Sequence, residues 1–286
     1  MRPAQITDQV IQDFIKAALQ EDIRDGDHTA LATIPAEHRS RAVLKIKDYG
    51  VIAGVELAQH IFKHIDPTSI MTIHKKDGED VFYGQTAFEV EGSTRALLMA
   101  ERTVLNSMQR MSGIATLASR FAFEVSDLPV KVLDTRKTTP LFRFCEKWAV
   151  KIGGCENYRW GLYDWIMIKD NHVDAAGGIR PAVERAQAYL KENNLSMGIT
   201  VEVRNLVEVH ELMEVGGITR VMFDNFEIPI LAEAVATVDG KFETEASGGI
   251  TLYNVRKFAL TGVNFVSAGM LTHSALPVDL SLKIQK

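Results

Sequence analysis

The chain has 286 residues, 46% of them hydrophobic and 24% charged, with a formal net charge of −5 at pH 7. Those proportions belong to an ordinary globular protein and exclude a disordered or fibrous chain and a basic nucleic-acid coat. No apolar run approaches the roughly 18 residues a membrane span needs, and the opening Met1-Arg2-Pro3-Ala4-Gln5 lacks a signal-peptide core, so a cytoplasmic protein with no membrane partner is expected.

The length suits one barrel-sized domain or two smaller ones. Apolar residues at Val10, Ile11, Phe14, Ile15, Ala18 and Leu19 predict an amphipathic first helix capped by Asp8. The acidic loop at 21–29 turns at Gly26, and its carboxylates read as solvated rather than as metal ligands. Strand-like runs at 42–46, 50–53, 70–74 and 86–90, with one helical insert at 55–62, predict a small α+β domain with an antiparallel or mixed sheet. A long helical pattern covers 94–123. Its apolar stripe is Leu97, Val104, Met108, Met111 and Ala115, and a polar stripe of Arg102, Asn106, Gln109 and Gly113 is expected to be solvated or to line a cleft. Ser112-Gly113 is expected to weaken or bend this helix and to mark the domain boundary.

From residue 130 the rhythm becomes strand, loop, helix. Strand candidates at 130–133, 165–168, 200–203, 220–223, 242–246 and 265–268 are separated by helical stretches such as 179–191, 206–215 and 228–238. Such alternation implies parallel βαβ units in a barrel or a doubly wound sheet, where the site forms at the carboxyl ends of the strands. Those ends carry Arg136-Lys137, Lys169-Asp170, Glu202, Asp224-Asn225, Ser247-Gly248-Gly249 and Gly269. One charge at a strand end is unremarkable. Polar or glycine ends on every strand point to an active site.

Its chemistry divides in two. Arg136, Lys137, Arg143, Lys147, Lys151, Arg159 and Lys169 crowd residues 134–172 of an otherwise acidic chain, a focused site for a small, multiply anionic substrate. Arg102, Arg136 and Arg159 suit two-pronged grips on carboxylates, while Lys137 and Lys169 act as point charges. On the other side, Glu202 and Asp224 end neighbouring strands with the spacing to share Mg²⁺, which keeps its waters and takes one or two carboxylates plus substrate phosphates. Ser247-Gly248-Gly249 and Gly269 let backbone N–H groups approach a phosphate, helped by a helix expected after Thr251. Two anionic substrates in one cleft are implied, one with carboxylates and one with phosphates. Cys145 and Cys155, ten positions apart, fit neither a redox pair nor zinc spacing and read as packing residues.

Several stretches resemble one family. Asp134-Thr135-Arg136-Lys137-Thr138-Thr139, Gly161-Leu162-Tyr163-Asp164, Ile168-Lys169-Asp170-Asn171-His172, Glu245-Ala246-Ser247-Gly248-Gly249-Ile250 and Leu271-Thr272-His273-Ser274-Ala275 are similar to quinolinate phosphoribosyltransferases, the carboxylating nicotinate-nucleotide pyrophosphorylases. Glu21-Asp22-Ile23, Gly26-Asp27, Glu101-Arg102-Thr103 and Ser112-Gly113-Ile114-Ala115-Thr116 extend the likeness over nearly the whole chain. The resemblance implies an N-terminal α+β sandwich over 1–112 and an incomplete, seven-stranded α/β barrel over 113–274, with the tail 275–286 against the first domain. It implies a glycosyltransferase that joins quinolinate to phosphoribosyl pyrophosphate, releasing pyrophosphate and CO₂ and giving nicotinate mononucleotide for NAD synthesis. Arg136, Arg159, Lys169 and, in place of a common histidine, Tyr158 would read the base. Lys137 would face the reacting groups, Glu202 and Asp224 would hold magnesium-bound phosphoribosyl pyrophosphate, and Ser247, Gly248, Gly249, Gly269 and His273 would hold its 5′-phosphate. A homodimer is implied, with Arg102 reaching the neighbouring subunit's site.

Three departures from that family's pattern stand out. Asn157-Tyr158-Arg159 replaces a common Asn-His-Arg, Cys155-Glu156 follows Gly153-Gly154 where a further glycine is usual, and Thr200 replaces a frequent glutamate. Tyr158 either contacts substrate or packs between its neighbours. Rival functions are transfer to another base such as nicotinate, a Schiff-base aldolase built on Lys169, and a non-catalytic phosphosugar-binding protein.

Overall fold

The computed structural model describes residues 2–285, so Met1 of the opening segment and Lys286 of the tail lie outside the described residues. In chain order the elements are α1 (Asp8–Asp22), α2 (His28–Thr33), β1 (Arg39–Ile46), β2 (Gly50–Val51), α3 (Val55–Ile65), β3 (Ile70–Ile73), β4 (Asp80–Val81), β5 (Thr86–Ser93) and α4 (Thr94–Glu124). After α4 come β6 (Lys131–Leu133), α5 (Arg143–Ile152), β7 (Ile166–Ile168), α6 (Asp170–Ala176), α7 (Ile179–Glu192), β8 (Ile199–Val203) and α8 (Leu206–Val215). The chain closes with β9 (Arg220–Asp224), α9 (Ile228–Val238), β10 (Glu243–Ser247), α10 (Val255–Ala259), β11 (Phe265–Ser267), α11 (Met270–His273) and β12 (Leu280–Ile284). Two compact units divide these elements, one of Met1–Ser119, Thr138–Gly154 and Leu271–Lys286, the other of Arg120–Lys137 and Cys155–Met270.

The first unit is built on an antiparallel sheet in the order β12-β1-β5-β3, with β2 and β4 paired separately. Ala42, Leu44 and Ile46 of β1 and Ala87, Phe88 and Val90 of β5 are fully buried, as are Ile11 and Ile15 of α1 and Leu57, Ala58 and Ile61 of α3. The cap of α1 is Thr7, whose hydroxyl accepts from the Val10 N–H at 3.3 Å. Asp8, expected there, instead pairs with Arg2 at 2.8 Å. In the acidic loop Asp27 caps α2 by accepting from the Ala30 N–H, the ordinary use of an aspartate before a helix.

Every residue of the predicted apolar stripe of α4 is buried. Ser112-Gly113, expected to weaken or bend that helix, sits inside an uninterrupted one. The hydroxyl of Ser112 accepts from the Ala53 N–H and donates to the Ala53 carbonyl. Gly113 lets the tail lie against the helix, because a Cβ there would stand 2.0 Å from the Leu276 carbonyl oxygen. Gln109 completes this dock by donating to the Leu280 carbonyl and accepting from the Val278 N–H. Half of the polar stripe is therefore a seat for the tail, and Arg102 and Asn106 are its exposed remainder. Gly113→Ala should lower the midpoint of thermal or urea unfolding. The ~1 kcal/mol gained in helix propensity is outweighed by the ~1–3 kcal/mol cost of overpacking against a rigid carbonyl.

The second unit carries a parallel sheet in the order β6-β11-β10-β9-β8-β7. A seventh place is filled by a single residue, since Glu156 bridges in parallel to Leu133 beside β6. Its N–H donates to the Val132 carbonyl at 2.8 Å and its carbonyl accepts from Asp134 at 3.1 Å. The incomplete seven-place barrel is thus six strands and one bridge. Predicted strands match β6 to β11 within a residue or two at their ends, and α8 and α9 match their predicted ranges. Helices α5 and α6 and the strands β4 and β12 were not anticipated. Among the described residues no helix is long and apolar enough to cross a membrane.

Candidate active site

Register decides which side chains share the barrel interior. Glu202 pairs with Met222, and Met222 with Glu245; Asp224 pairs with Ser247 one step further on. Because side chains alternate with period two, Glu202, Asp224, Glu245 and Ser247 all point to one face, with Asp224 and Ser247 nearest the carboxyl ends. Lys169 follows β7, and its Nζ donates to Glu202 Oε2 at 2.8 Å. Glu202 is buried and Lys169 exposed, so the lysine compensates a carboxylate drawn out of water.

The loop after β6 begins with Asp134, a fully buried carboxylate. It accepts from the Tyr158 N–H at 2.8 Å and from Asn157 Nδ2 at 2.7 Å, tying the segment that carries Arg159 to the loop that carries Arg136. Lys137 is exposed, its N–H bound by the Thr135 hydroxyl at 3.0 Å in a local turn. Arg136 and Arg159 are half-buried. Burial holds the Arg159 guanidinium below its ordinary range, and the charge of Arg136 adds to the effect. An anion bound beside them would relieve that repulsion.

Beneath them Tyr158 is buried, and its hydroxyl lies 2.7 Å from Thr200 Oγ1. Burial pushes its phenol well above the usual range, with Glu245 adding to the shift. Arg220 lies over the rings of Phe265, Tyr158 and Trp165 at 3.7, 5.0 and 5.7 Å, and bonds Glu245 at 3.0 Å and Glu243 at 2.9 Å.

On the phosphate side, Gly248 has φ +92°, and a Cβ there would meet Asn225 Oδ1 at 2.2 Å. Asn225 itself takes the left-handed conformation at φ 55°, donates from its backbone to the Ser247 carbonyl at 2.9 Å and from Nδ2 to Asp224 at 2.8 Å. The acidic strand end and the glycine turn are thereby one interlocked piece. The helix expected after Thr251 starts later, at Val255, because Asn254 first closes a turn onto the Thr251 N–H and the Gly249 carbonyl. Gly269 follows β11 and is half-buried. Arg102 and His273 belong to the first unit, both exposed, with His273 Nδ1 2.7 Å from the Ser274 hydroxyl.

Glu146, in the first unit, was not anticipated either: fully buried, it accepts from Arg110 and from both the N–H and hydroxyl of Thr139. Cys145 and Cys155 are buried thiols outside any disulfide, and burial pushes Cys155 up to about 12, with Asp134 and Glu156 adding to it. Neither is a nucleophile at neutral pH. Among the described residues no group of three or more His, Cys, Asp or Glu is set to hold a metal. Two carboxylates on one face do not cage an ion, but that donor set fits a hard cation that arrives with a phosphate ligand and keeps its waters.

Residues 27–112 match the family model of the quinolinate phosphoribosyl transferase N-terminal domain, and residues 114–283 match that of its C-terminal domain. The chain is 45% identical over 289 residues to quinolinate phosphoribosyltransferase [decarboxylating] 1b of Nicotiana tabacum, covering 96% of this chain and 82% of that one. It is 39% identical over 264 residues to the probable nicotinate-nucleotide pyrophosphorylase [carboxylating] of Bacillus subtilis, covering 92% and 90%. The crystal structure of NadC from Streptococcus pyogenes superposes with a TM-score of 0.91 at 35% identity, covering 98% of this chain and 99% of that one. With both domains matched and relatives this similar along their length, the chain belongs to the quinolinate phosphoribosyltransferase family.

Proposed function

We propose that this chain transfers the phosphoribosyl group of phosphoribosyl pyrophosphate to quinolinate with decarboxylation, giving nicotinate mononucleotide, pyrophosphate and CO₂ on the route to NAD. The observation that carries this reading is the guanidinium pair Arg136 and Arg159, both half-buried, with burial and then the charge of Arg136 holding Arg159 below its ordinary range. Arg136, Arg159 and Lys169 grip the two carboxylates and align the ring nitrogen with ribose C1. As the C1–O bond to pyrophosphate breaks, positive charge grows on the sugar, and the carboxylates of Glu202 and Asp224 on the same face offset it. Lys137, exposed at the mouth of the site, meets the departing oxygens. The nitrogen lone pair forms the new bond to C1; the carboxylate next to it then leaves as CO₂, its electron pair held by the pyridinium until a proton takes its place.

Ser247, Gly248, Gly249 and Gly269 hold the 5′-phosphate. Glu202 and Asp224 would hold magnesium brought in with the phosphoribosyl pyrophosphate, and the ion would supply charge neutralisation to the leaving group. The working molecule is a homodimer in which the exposed Arg102 reaches the other subunit's site, and two buried thiols outside any disulfide suit a reducing, cytoplasmic setting. Release of CO₂ from quinolinate, dependent on both phosphoribosyl pyrophosphate and Mg²⁺, is the expected result. A preference for nicotinate, or a mass in sedimentation equal to one chain, would sink the corresponding part.

A further inference from the structure

The segment that presents Arg159 is a loop whose two ends meet on one side chain. Tyr158 opens it and Trp165 closes it. The Tyr158 hydroxyl lies 2.7 Å from Thr200 Oγ1, and the Trp165 indole N–H donates to the same oxygen at 2.8 Å. An indole N–H can only donate, so Thr200 accepts there and keeps a proton and a lone pair for the phenol. Within the loop Asp164 accepts from the Trp160 N–H at 2.7 Å and the Gly161 N–H at 3.0 Å, and Arg159 Nη1 reaches the Trp165 carbonyl at 3.4 Å. The Tyr158 and Trp165 rings meet edge to face with centroids 6.3 Å apart. Thr200 is fully buried on β8, between neighbouring strands that fix its place.

We propose that Thr200 is a positioning residue for Arg159: its hydroxyl clamps both ends of the 158–165 loop, and the clamp sets where the guanidinium stands to receive a substrate carboxylate. Tyr158 then acts through Thr200 and touches no substrate. This inference rests on the proposed transferase reading. It also carries a prediction that needs no turnover.

Thr200→Val keeps the volume and removes the hydroxyl, Thr200→Ser keeps the hydroxyl, and Tyr158→Phe removes one of its two partners. Steady-state kinetics should show KM for quinolinate rising about 3- to 10-fold in Thr200→Val, the worth of one or two hydrogen bonds, with KM for phosphoribosyl pyrophosphate unchanged. Thr200→Ser should stay near the parent, Tyr158→Phe should rise less, and the double variant Tyr158→Phe with Thr200→Val should be no worse than Thr200→Val alone. Without substrate, hydrogen exchange at the Trp160 and Gly161 amides should quicken in Thr200→Val and not in Thr200→Ser. Two results overturn the clamp. One is Thr200→Val with unaltered exchange in that loop or an unaltered quinolinate KM. The other is a KM rise in Tyr158→Phe that Thr200→Val does not share, which would place the phenol on the substrate. An unmodified chain that fails to turn over quinolinate refutes the transferase reading instead, and the exchange measurement still decides the clamp.

Discussion

Asp224→Ala should cut kcat by about 10²–10³-fold, the usual loss when one pre-placed charge or donor is removed from a developing transition state. Asp224 ends β9, only partly buried, on the face it shares with Ser247 and Glu202, so its removal should leave the melting temperature near the parent's. Glu202→Ala should lose turnover to a similar degree with one difference. It also releases Lys169 from its 2.8 Å partner, freeing that cation for a substrate carboxylate. The quinolinate KM should therefore not rise in Glu202→Ala while kcat collapses. Steady-state kinetics at saturating Mg²⁺ settles both, and near-parent kcat in the two variants would remove these carboxylates from the chemistry.

Arg220→Leu is the substitution expected to damage stability most. It strands Glu245, a fully buried carboxylate, and removes the cation that sits over three aromatic rings. Breaking a buried pair from one side costs about 3–5 kcal/mol, which for a chain of this size lowers the melting temperature on the order of 10 °C. Replacing both partners, Arg220→Leu with Glu245→Leu, should recover most of the loss, and a double variant as unstable as the single would refute the account. The deficit should also depend on pH. Burial raises the Glu245 carboxyl above its ordinary 4.5, and Arg220 opposes that rise. A carboxyl raised on folding favours the fold when protonated, so its contribution is present below the unfolded value and lost as pH climbs through the folded one. With Arg220 gone the rise is larger. The gap between variant and parent should widen as pH rises above the ordinary carboxyl value and narrow on acidification.

Much of this was legible in the sequence because strand periodicity and strand-end chemistry are local. The six parallel strands, the long helix and the charged or glycine ends could each be read from a few consecutive residues. What escaped is pairwise. Tyr158 and Thr200 stood out separately as departures from the family's pattern, but only register on β7, β8 and β9 brings them to one hydrogen bond beside Trp165 and Arg220. A signal was present: Glu243, Glu245 and Ser247 alternate polar side chains along β10, as Arg220 and Asp224 do along β9, which marks a polar barrel interior rather than a uniformly apolar strand. Asp134 and Glu146 gave less warning. A carboxylate beside cationic residues looks like charge balance until the donors that meet it are counted.

The tail strand has a consequence for how the molecule is made. β12 pairs along the outer side of β1, from Ala42 opposite Ile284 to Ile46 opposite Leu280. A sheet begun with β1 is therefore finished by residues that leave the ribosome after the whole parallel sheet has been translated. Until then β1 presents an unpaired edge, the sort of template on which nascent chains pair wrongly. The order of biosynthesis thus leaves the first-made sheet to be completed last.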